Sequence, residues 1–258
     1  QPLLFAIQVA ITRILAQAGV KPSVTTGHSV GEIAAAWAAG ALTLDQAIEV
    51  ICARSKAQAL TRGTGRMAAA GMTDQAARDL IADLGLDVEV AGLNSPASIT
   101  LSGSLDDLQR LQRVVEPNGT FFRLLDLDYA FHSRQMDPIE QQLRQWLQGL
   151  QSTAAQAATF VSTVTGDVLA GDELNASYWW RNVREPVRFQ QAVDKAAELG
   201  CRIFVEIGPH AILQRYISDT LTSAKLKGRV LPTLRRGDDG LQRLEEAALR
   251  TLLQGDAQ

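Results

Sequence analysis

A serine stands between two glycines in Gly27-His28-Ser29-Val30-Gly31, after short apolar and hydroxyl residues and before a run that is almost all alanine. G-x-S-x-G is the spacing of a strand-to-helix elbow, where a tight turn strains the serine backbone and exposes its hydroxyl. The following helix would aim unpaired N–H groups and the positive end of its dipole at the point where an oxyanion forms in acyl transfer. The pattern also arises by chance, and a structural glycine turn is the competing reading. A strand before it, a helix after it, and His28 and Glu32 alongside favour the nucleophile.

A nucleophilic serine needs a base. The chain has three histidines. His28 adjoins the serine, so its side chain is expected to point away and pack locally. His210, in "EIGPHAIL", falls at a strand-to-helix turn and is expected to cap. His132, in "LDYAFHSRQMDPI", is the candidate base. Arg54, in "ICARSKAQ", brings a group that grips carboxylates bidentately and stays charged in a closed pocket. On residue type alone, an arginine on the wet face of a helix is the plainer reading.

The elements that would position these groups follow from periodicity. Apolar residues from Leu3 to Leu15 recur at three- and four-residue spacing, with Gly19 as a stop. "KPSVTTGHS" reads as a short strand, and Val30 to Ala39 as a closely packed helix. A helix begins after Thr43, which forms a capping box with Gln46. From 66 to 127 the order is β-α-β-β-α-β: strands "MAAAGM", "VEVAGLNSP", "ASITLSG" and "TFFRLLDL", helices "TDQAARDLIADLG" and "SLDDLQRLQRVVEPNG". That is the ferredoxin-like pattern. After it come the helix "DPIEQQLRQWLQGL", the strand "TFVSTVTG", the strand "RIFVEIGPH", a helix from near Ala211, and a last strand and helix. The expected fold is α/β: a large subdomain, 1–65 and 128–258, around a mainly parallel, α/β-hydrolase-like sheet, with a small ferredoxin-like subdomain at 66–127 inserted.

Composition narrows the function classes. Hydrophobic residues form 46% and charged residues 21% of 258, enough for a core, and the net charge of −3 argues against a nucleic-acid partner. No apolar run approaches the ~18 residues of a membrane span. Cys52 and Cys201 are far apart, with no CxxC pair or His/Cys cluster, which argues against a metal and for a reducing, cytoplasmic setting. The chain opens at Gln1-Pro2 without a methionine, as expected of a segment of a longer polypeptide.

Six stretches together, "GHSVGEIAAAWAAGAL", "ICARSKAQ", "LNSPASITLSG", "YAFHSRQMDPI", "YWWRNVREPVRF" and "FVEIGPHAIL", resemble the acyltransferase domain of type I polyketide synthases. That group is similar to the malonyl-CoA:acyl carrier protein transacylases. The resemblance implies a ping-pong transfer with no bound cofactor. Ser29, deprotonated by His132, takes the acyl group of malonyl-CoA, and the phosphopantetheine thiol of an acyl carrier protein then removes it. It implies that a backbone carbonyl orients His132, assigned by motif to Asn182, with a carboxylate from Asp126 or Asp128 as the alternative. It makes Arg54 the holder of the substrate carboxylate and Val30 an oxyanion donor. Gln1, His28, Tyr129 and Phe131 line the acyl site. An upstream glutamine loop of the family, its other oxyanion donor, is not in this chain, so the 258-residue piece alone is expected to be weakly active or inactive. The implied partners are acyl-CoA, a carrier protein domain, and the ketosynthase and linker of the same megasynthase.

Extender choice rests on Tyr129-Ala130-Phe131-His132, a hybrid of the family's HAFH (malonyl) and YASH (methylmalonyl) patterns. Phe131 fills space a branched α-carbon needs and Val30 also leans to malonyl, while Tyr129 pulls the other way. The expectation is malonyl, with methylmalonyl the alternative. A serine hydrolase or editing thioesterase, with water as acceptor, and a non-catalytic docking domain are the rival functions.

Overall fold

The computed structural model describes residues 1–238 and 240–255. In chain order the elements are α1 (Pro2–Gln17), β1 (Val24–Thr25), α2 (Gly31–Ala38), α3 (Leu44–Ala59), β2 (Arg66–Ala70), α4 (Asp74–Asp83), β3 (Val88–Ser95), β4 (Ser98–Gly103), α5 (Leu105–Val115), β5 (Phe122–Leu124), α6 (Glu140–Trp146), β6 (Thr159–Phe160), α7 (Ala176–Arg184), α8 (Phe189–Glu198), β7 (Ile203–Glu206), α9 (Gln214–Ser223), β8 (Arg229–Pro232) and α10 (Leu241–Gly255). Where signals are local, expectation and structure agree. Thr43 and Gln46 form the reciprocal capping box at the start of α3. Thr73 and Ser104 cap α4 and α5 without the reciprocal bond, each accepting a backbone N–H from its own first turn.

The fold is α/β, but its parallel pairing is less continuous than expected. β1 pairs with β6 and β7 with β8, both parallel, as two separate two-stranded sheets. No ladder bond joins β1 to β7 among the described residues. The expected helix from Asp137 to Leu150 is also broken. A 3₁₀ turn over Arg134–Ile139 precedes α6, because Pro138 has no N–H to donate to the earlier carbonyls.

The third sheet is antiparallel, in the order β3-β4-β2-β5, and carries α4 and α5 between its strands. It has its own core, with Leu101, Leu108 and Leu111 fully buried. The other large cluster joins α2 and α3 to α6 and α7 around Ile33, Ile51, Phe160 and Trp179. The alanines of α2 let it lie close to its neighbours: Ala34, Ala35 and Ala36 are buried, and so is its C-cap Ala39. Ile11 and Leu15 of α1 pack with Leu234 and Leu244 beside Val205 of β7. Register shifts in β3 fall between Val90 and Gly92 and between Leu93 and Ser95, where a bulge re-aims the intervening side chain. The second shift frees Asn94.

Candidate active site

The elbow forms where β1 runs through Gly27 and His28 into Ser29 and α2 begins. Ser29 has φ 54°, a left-handed conformation uncommon outside glycine. The Gly31 and Glu32 N–H groups bond back to the His28 and Ser29 carbonyls, at 2.9 and 3.1 Å. The Val30 N–H has no acceptor among the described residues and is left over at the head of α2. The two motif glycines are not equivalent. A Cβ on Gly27 would lie 2.2 Å from the Gly31 carbonyl carbon, whereas at Gly31 the nearest atom is the Gln8 Nε2 at 3.7 Å. Gly27 is demanded by the close approach; Gly31 is not.

His132 lies 103 residues from Ser29 in sequence and 2.7 Å from it in space, Nε2 to Oγ. Its Nδ1 is 2.9 Å from the Glu185 carbonyl oxygen. A carbonyl only accepts, so Nδ1 carries the proton and Nε2 accepts from the serine. The orienting carbonyl therefore belongs to Glu185 and not to Asn182. Asn182 is inside α7, whereas Glu185 is the extended C-cap residue, where a carbonyl turns off the helix axis. No carboxylate replaces it: Asp126 is exposed, and Asp128 pairs with Arg62 and Arg66. Burial, and after it the positive charge of Arg54, lowers the His132 pKa to about 3, so the ring is neutral at pH 7.

The loop carrying His132 is tied to the small sheet. Ser102 of β4 donates to the Phe131 carbonyl at 2.5 Å. Glu89 of β3 accepts from the Arg134 N–H and Nε, at 2.7 and 3.0 Å. Its other oxygen accepts from Arg184, beside Glu185, at 3.1 Å. One carboxylate thus joins the loop of the imidazole to the helix end that holds it.

Arg54 is only 2% exposed, despite the preference of arginine for water. Its Nη2 donates to Ser29 Oγ at 2.9 Å and its Nη1 to Gln1 Oε1 and Gln58 Oε1, at 2.7 and 3.0 Å. Its Nε donates to Asn182 Oδ1 at 3.2 Å. That accounts for four of five N–H donors; the fifth, on Nη2, has no acceptor among the described residues. Burial lowers the Arg54 pKa to about 10, against the opposing pull of Glu32, and the group stays cationic at pH 7. Gln1 lies beside Arg54, with its Nε2 on Gln58 Oε1 at 2.8 Å.

Glu32 is fully buried beneath the elbow and accepts from the Thr163 N–H, from the Tyr178 hydroxyl at 2.9 Å and from Asn182 Nδ2 at 2.6 Å. Burial raises its pKa to about 7 against these three donors. In the sequence Glu32 is no more than a neighbour of the motif. The signal was there: a lone carboxylate in a helix of alanine, isoleucine and tryptophan.

His28 turns from the serine, as expected, and its Nε2 meets Asn94 Oδ1 at 2.8 Å while its ring packs on Phe189. Desolvation lowers its pKa, partly offset by that hydrogen bond. Tyr129 and Phe131 stack, with centroids 4.8 Å apart. His210 makes no capping bond among the described residues and is exposed. The Glu206 carboxylate caps instead, accepting from the Ile212 and Leu213 N–H groups at 2.6 and 2.8 Å. Cys52 and Cys201 are free thiols, Cys52 exposed and Cys201 half-buried. Among the described residues no cluster of three or more His, Cys, Asp or Glu is placed to hold a metal, and no helix is long and apolar enough to cross a membrane.

A serine on a strand-to-helix elbow of an α/β fold, paired with a buried neutral imidazole, defines a class equipped for nucleophilic acyl chemistry. The comparisons narrow it: residues 1–257 match the acyl transferase domain family, and the chain belongs to that family. Mycoketide-CoA synthase of Mycobacterium tuberculosis is 38% identical over 260 residues, covering all of this chain and 6% of that protein. A pikromycin polyketide synthase component of Streptomyces venezuelae is 36% identical over 245 residues, 95% of this chain and 15% of that one. The chain thus spans a small fraction of these relatives. The acyltransferase domain from module 8 of the salinomycin polyketide synthase superposes with a TM-score of 0.94 at 34% identity, over 98% of this chain and 59% of that one. The malonyl CoA-acyl carrier protein transacylase of Coxiella burnetii shares the fold, with a TM-score of 0.84 at 24% identity, over 97% and 78% of the two chains.

Proposed function

We propose that this chain loads a malonyl-type extender unit from coenzyme A onto the phosphopantetheine thiol of an acyl carrier protein in polyketide synthesis, through an acyl-serine intermediate. The observation that carries the reading is the position of Ser29 Oγ, in reach of His132 Nε2 at 2.7 Å and of Arg54 Nη2 at 2.9 Å. Ser29 gives its proton to His132 as Oγ attacks the thioester carbonyl. The Val30 N–H receives the developing oxyanion. Collapse breaks the C–S bond, and the proton passes from His132 to the coenzyme A thiolate. The carrier thiol then gives its proton to His132 and attacks the ester, and Ser29 leaves with the proton restored. No cofactor or metal enters this scheme.

Arg54 supports a substrate with a free carboxylate, since a buried guanidinium with an N–H to spare suits a dicarboxylic half-thioester better than an acetyl group. Phe131, held against Tyr129, supports malonyl over methylmalonyl. We read residues 66–127 as a ferredoxin-like subdomain within a large catalytic one, 1–65 and 128–258; the separate core of the antiparallel sheet supports that division. The ketosynthase and linker of the same synthase would flank it.

The test is intact-protein mass spectrometry of the full-length polypeptide after mixing with malonyl-, methylmalonyl- and acetyl-CoA, then with a phosphopantetheinylated carrier protein. Malonyl should appear on Ser29 and move to the carrier, and Ser29→Ala and His132→Ala should each abolish loading. Hydrolysis without transfer, or no acylation of Ser29, overturns the reading.

A further inference from the structure

We propose that Glu32 and Asn182 form a buried relay that positions the Arg54 guanidinium for the substrate carboxylate, so that selectivity rests partly on a carboxylate the substrate never touches. The proposal depends on the reading of Arg54 as the carboxylate holder. The Asn182 amide lies between the Arg54 guanidinium and the Glu32 carboxyl group. Its Oδ1 accepts from Arg54 Nε at 3.2 Å, and its Nδ2 donates to Glu32 Oε2 at 2.6 Å and to the Ser29 carbonyl at 3.3 Å. A guanidinium only donates and a carboxylate only accepts, so the amide satisfies both in one orientation. Turning it over would set donor against donor and acceptor against acceptor.

The relay is sealed. Glu32 is 0% and Asn182 2% exposed, so neither serves a surface role. A charge taken out of water persists only when paired and hydrogen-bonded. Glu32 meets that need with donors from α7 and from the segment after β6, and in its ionised form supplies a countercharge near Arg54. Held at Nε, the guanidinium cannot swing about its long side chain, and its Nη2 edge stays on Ser29 Oγ, where the acyl group attaches. The same amide bonds the carbonyl of the nucleophile itself, so relay and elbow share one framework.

The distinguishing measurement is acylation of Ser29 in the full-length polypeptide by malonyl-CoA and by acetyl-CoA, with kcat and KM resolved separately. Asn182→Leu removes both ends of the relay at similar volume. Its malonyl kcat/KM should fall about 10- to 100-fold, chiefly through KM, and at least about tenfold further than its acetyl kcat/KM. Glu32→Gln keeps the shape and one acceptor oxygen, and should show a smaller loss with the same bias towards malonyl. Should Asn182→Leu not fold, the Glu32→Gln comparison decides. Equal losses for the two substrates, or no loss for malonyl, overturn the proposal. Arg54→Ala in the same assay separates the two readings: if it leaves malonyl loading intact, the carboxylate-holder reading fails. If it lowers malonyl loading and the relay variants do not, only the relay fails.

Discussion

Ser29 and His132 share a backbone state as well as a hydrogen bond: both are left-handed, at φ 54° and 59°, while their side chains meet at 2.7 Å. Among the described residues the only other non-glycine with positive φ is Lys225, just past the end of α9. A left-handed backbone costs an L-residue about 1–2 kcal/mol, and such strain persists only where the surroundings over-determine it. Here they do: the turn bonds of Gly31 and Glu32 hold one residue, and Ser102, Ser133 and Glu89 hold the loop of the other. Two strained residues have been made to face each other.

The strain is measurable at Ser29. Ser29→Ala and Ser29→Gly should both abolish loading, but the glycine variant adopts φ 54° without penalty. It should be the more stable by about 1 kcal/mol in urea unfolding. An alanine variant equal to or more stable than the glycine one would show that the elbow holds no strain.

The glycines of the motif should part company in the same way. A Cβ at Gly27 would lie 2.2 Å from a backbone carbon and 2.4 Å from the Glu32 nitrogen, so α2 would have to move off β1. Gly27→Ala should destabilise by at least about 3 kcal/mol or prevent folding, as overpacking at rigid backbone does. Gly31→Ala has space and sits at the first turn of α2, where alanine is the better helix former by about 1 kcal/mol. It should fold at least as well as the wild type, and circular dichroism melts of the two variants read the difference.

Stability should depend on pH through two buried groups of opposite sign. Unfolded, His132 titrates near 6.5; folded, it stays neutral down to about 3. As pH falls through that window the unfolded state gains the proton first, so stability is lost from about 6.5 downward. Glu32 behaves oppositely. Its folded pKa of about 7 lies above the unfolded 4.5, so the stability of its protonated form is full below 4.5 and lost as pH rises to about 7. Glu32→Gln does not titrate. Its stability relative to wild type should improve between those pH values, by about 2–3 kcal/mol. A flat difference in urea titrations from pH 4.5 to 7.5 would mean that Glu32 is ionised throughout.

What could be read from the residues and what could not divide along the range of the interaction. The capping box of Thr43 and Gln46 and the antiparallel strands were legible because caps and period-two alternation are local. The pairing of His132 with Ser29 was legible because a nucleophilic serine calls for an imidazole and few histidines were on offer. The Glu185 carbonyl was not, since every residue has a carbonyl and only the end of α7 makes this one free. The bond between His28 and Asn94 spans 66 positions and needs a bulge in β3 to aim it. The parallel strands were expected longer than the two residues each of β1 and β6, because a buried hydroxyl-rich segment such as Ser162-Thr163 continues the apolar run while leaving the ladder to bond the elbow.

Extender choice should respond to Phe131. Its half-buried ring stacks on Tyr129, tilted by only 13°, one residue before His132. Phe131→Ser would open room beside the acyl α-carbon. A single methyl is worth about 1–3 kcal/mol of discrimination. Methylmalonyl loading should therefore rise about tenfold relative to malonyl, in competition with both thioesters present. An unchanged ratio would place the α-carbon elsewhere.

Arg54→Ala should change selectivity by two routes at once. The guanidinium donates to Ser29 and, through its charge, is the second cause after burial of the low His132 pKa. Binding of a carboxylate would neutralise that charge and strengthen the base as the substrate arrives; an acetyl group cannot. Removing Arg54 takes away the anion's partner, so malonyl loading should fall about 100-fold, as for loss of one member of a buried charge pair. It also relieves the imidazole, so acetyl loading should stay level or rise. The same change leaves Glu32 buried without its cation and should lower the melting temperature. Parallel mass-spectrometric time courses with the two thioesters check the selectivity. A variant in which both rates drop together would show the arginine acting on the fold rather than on the acyl group.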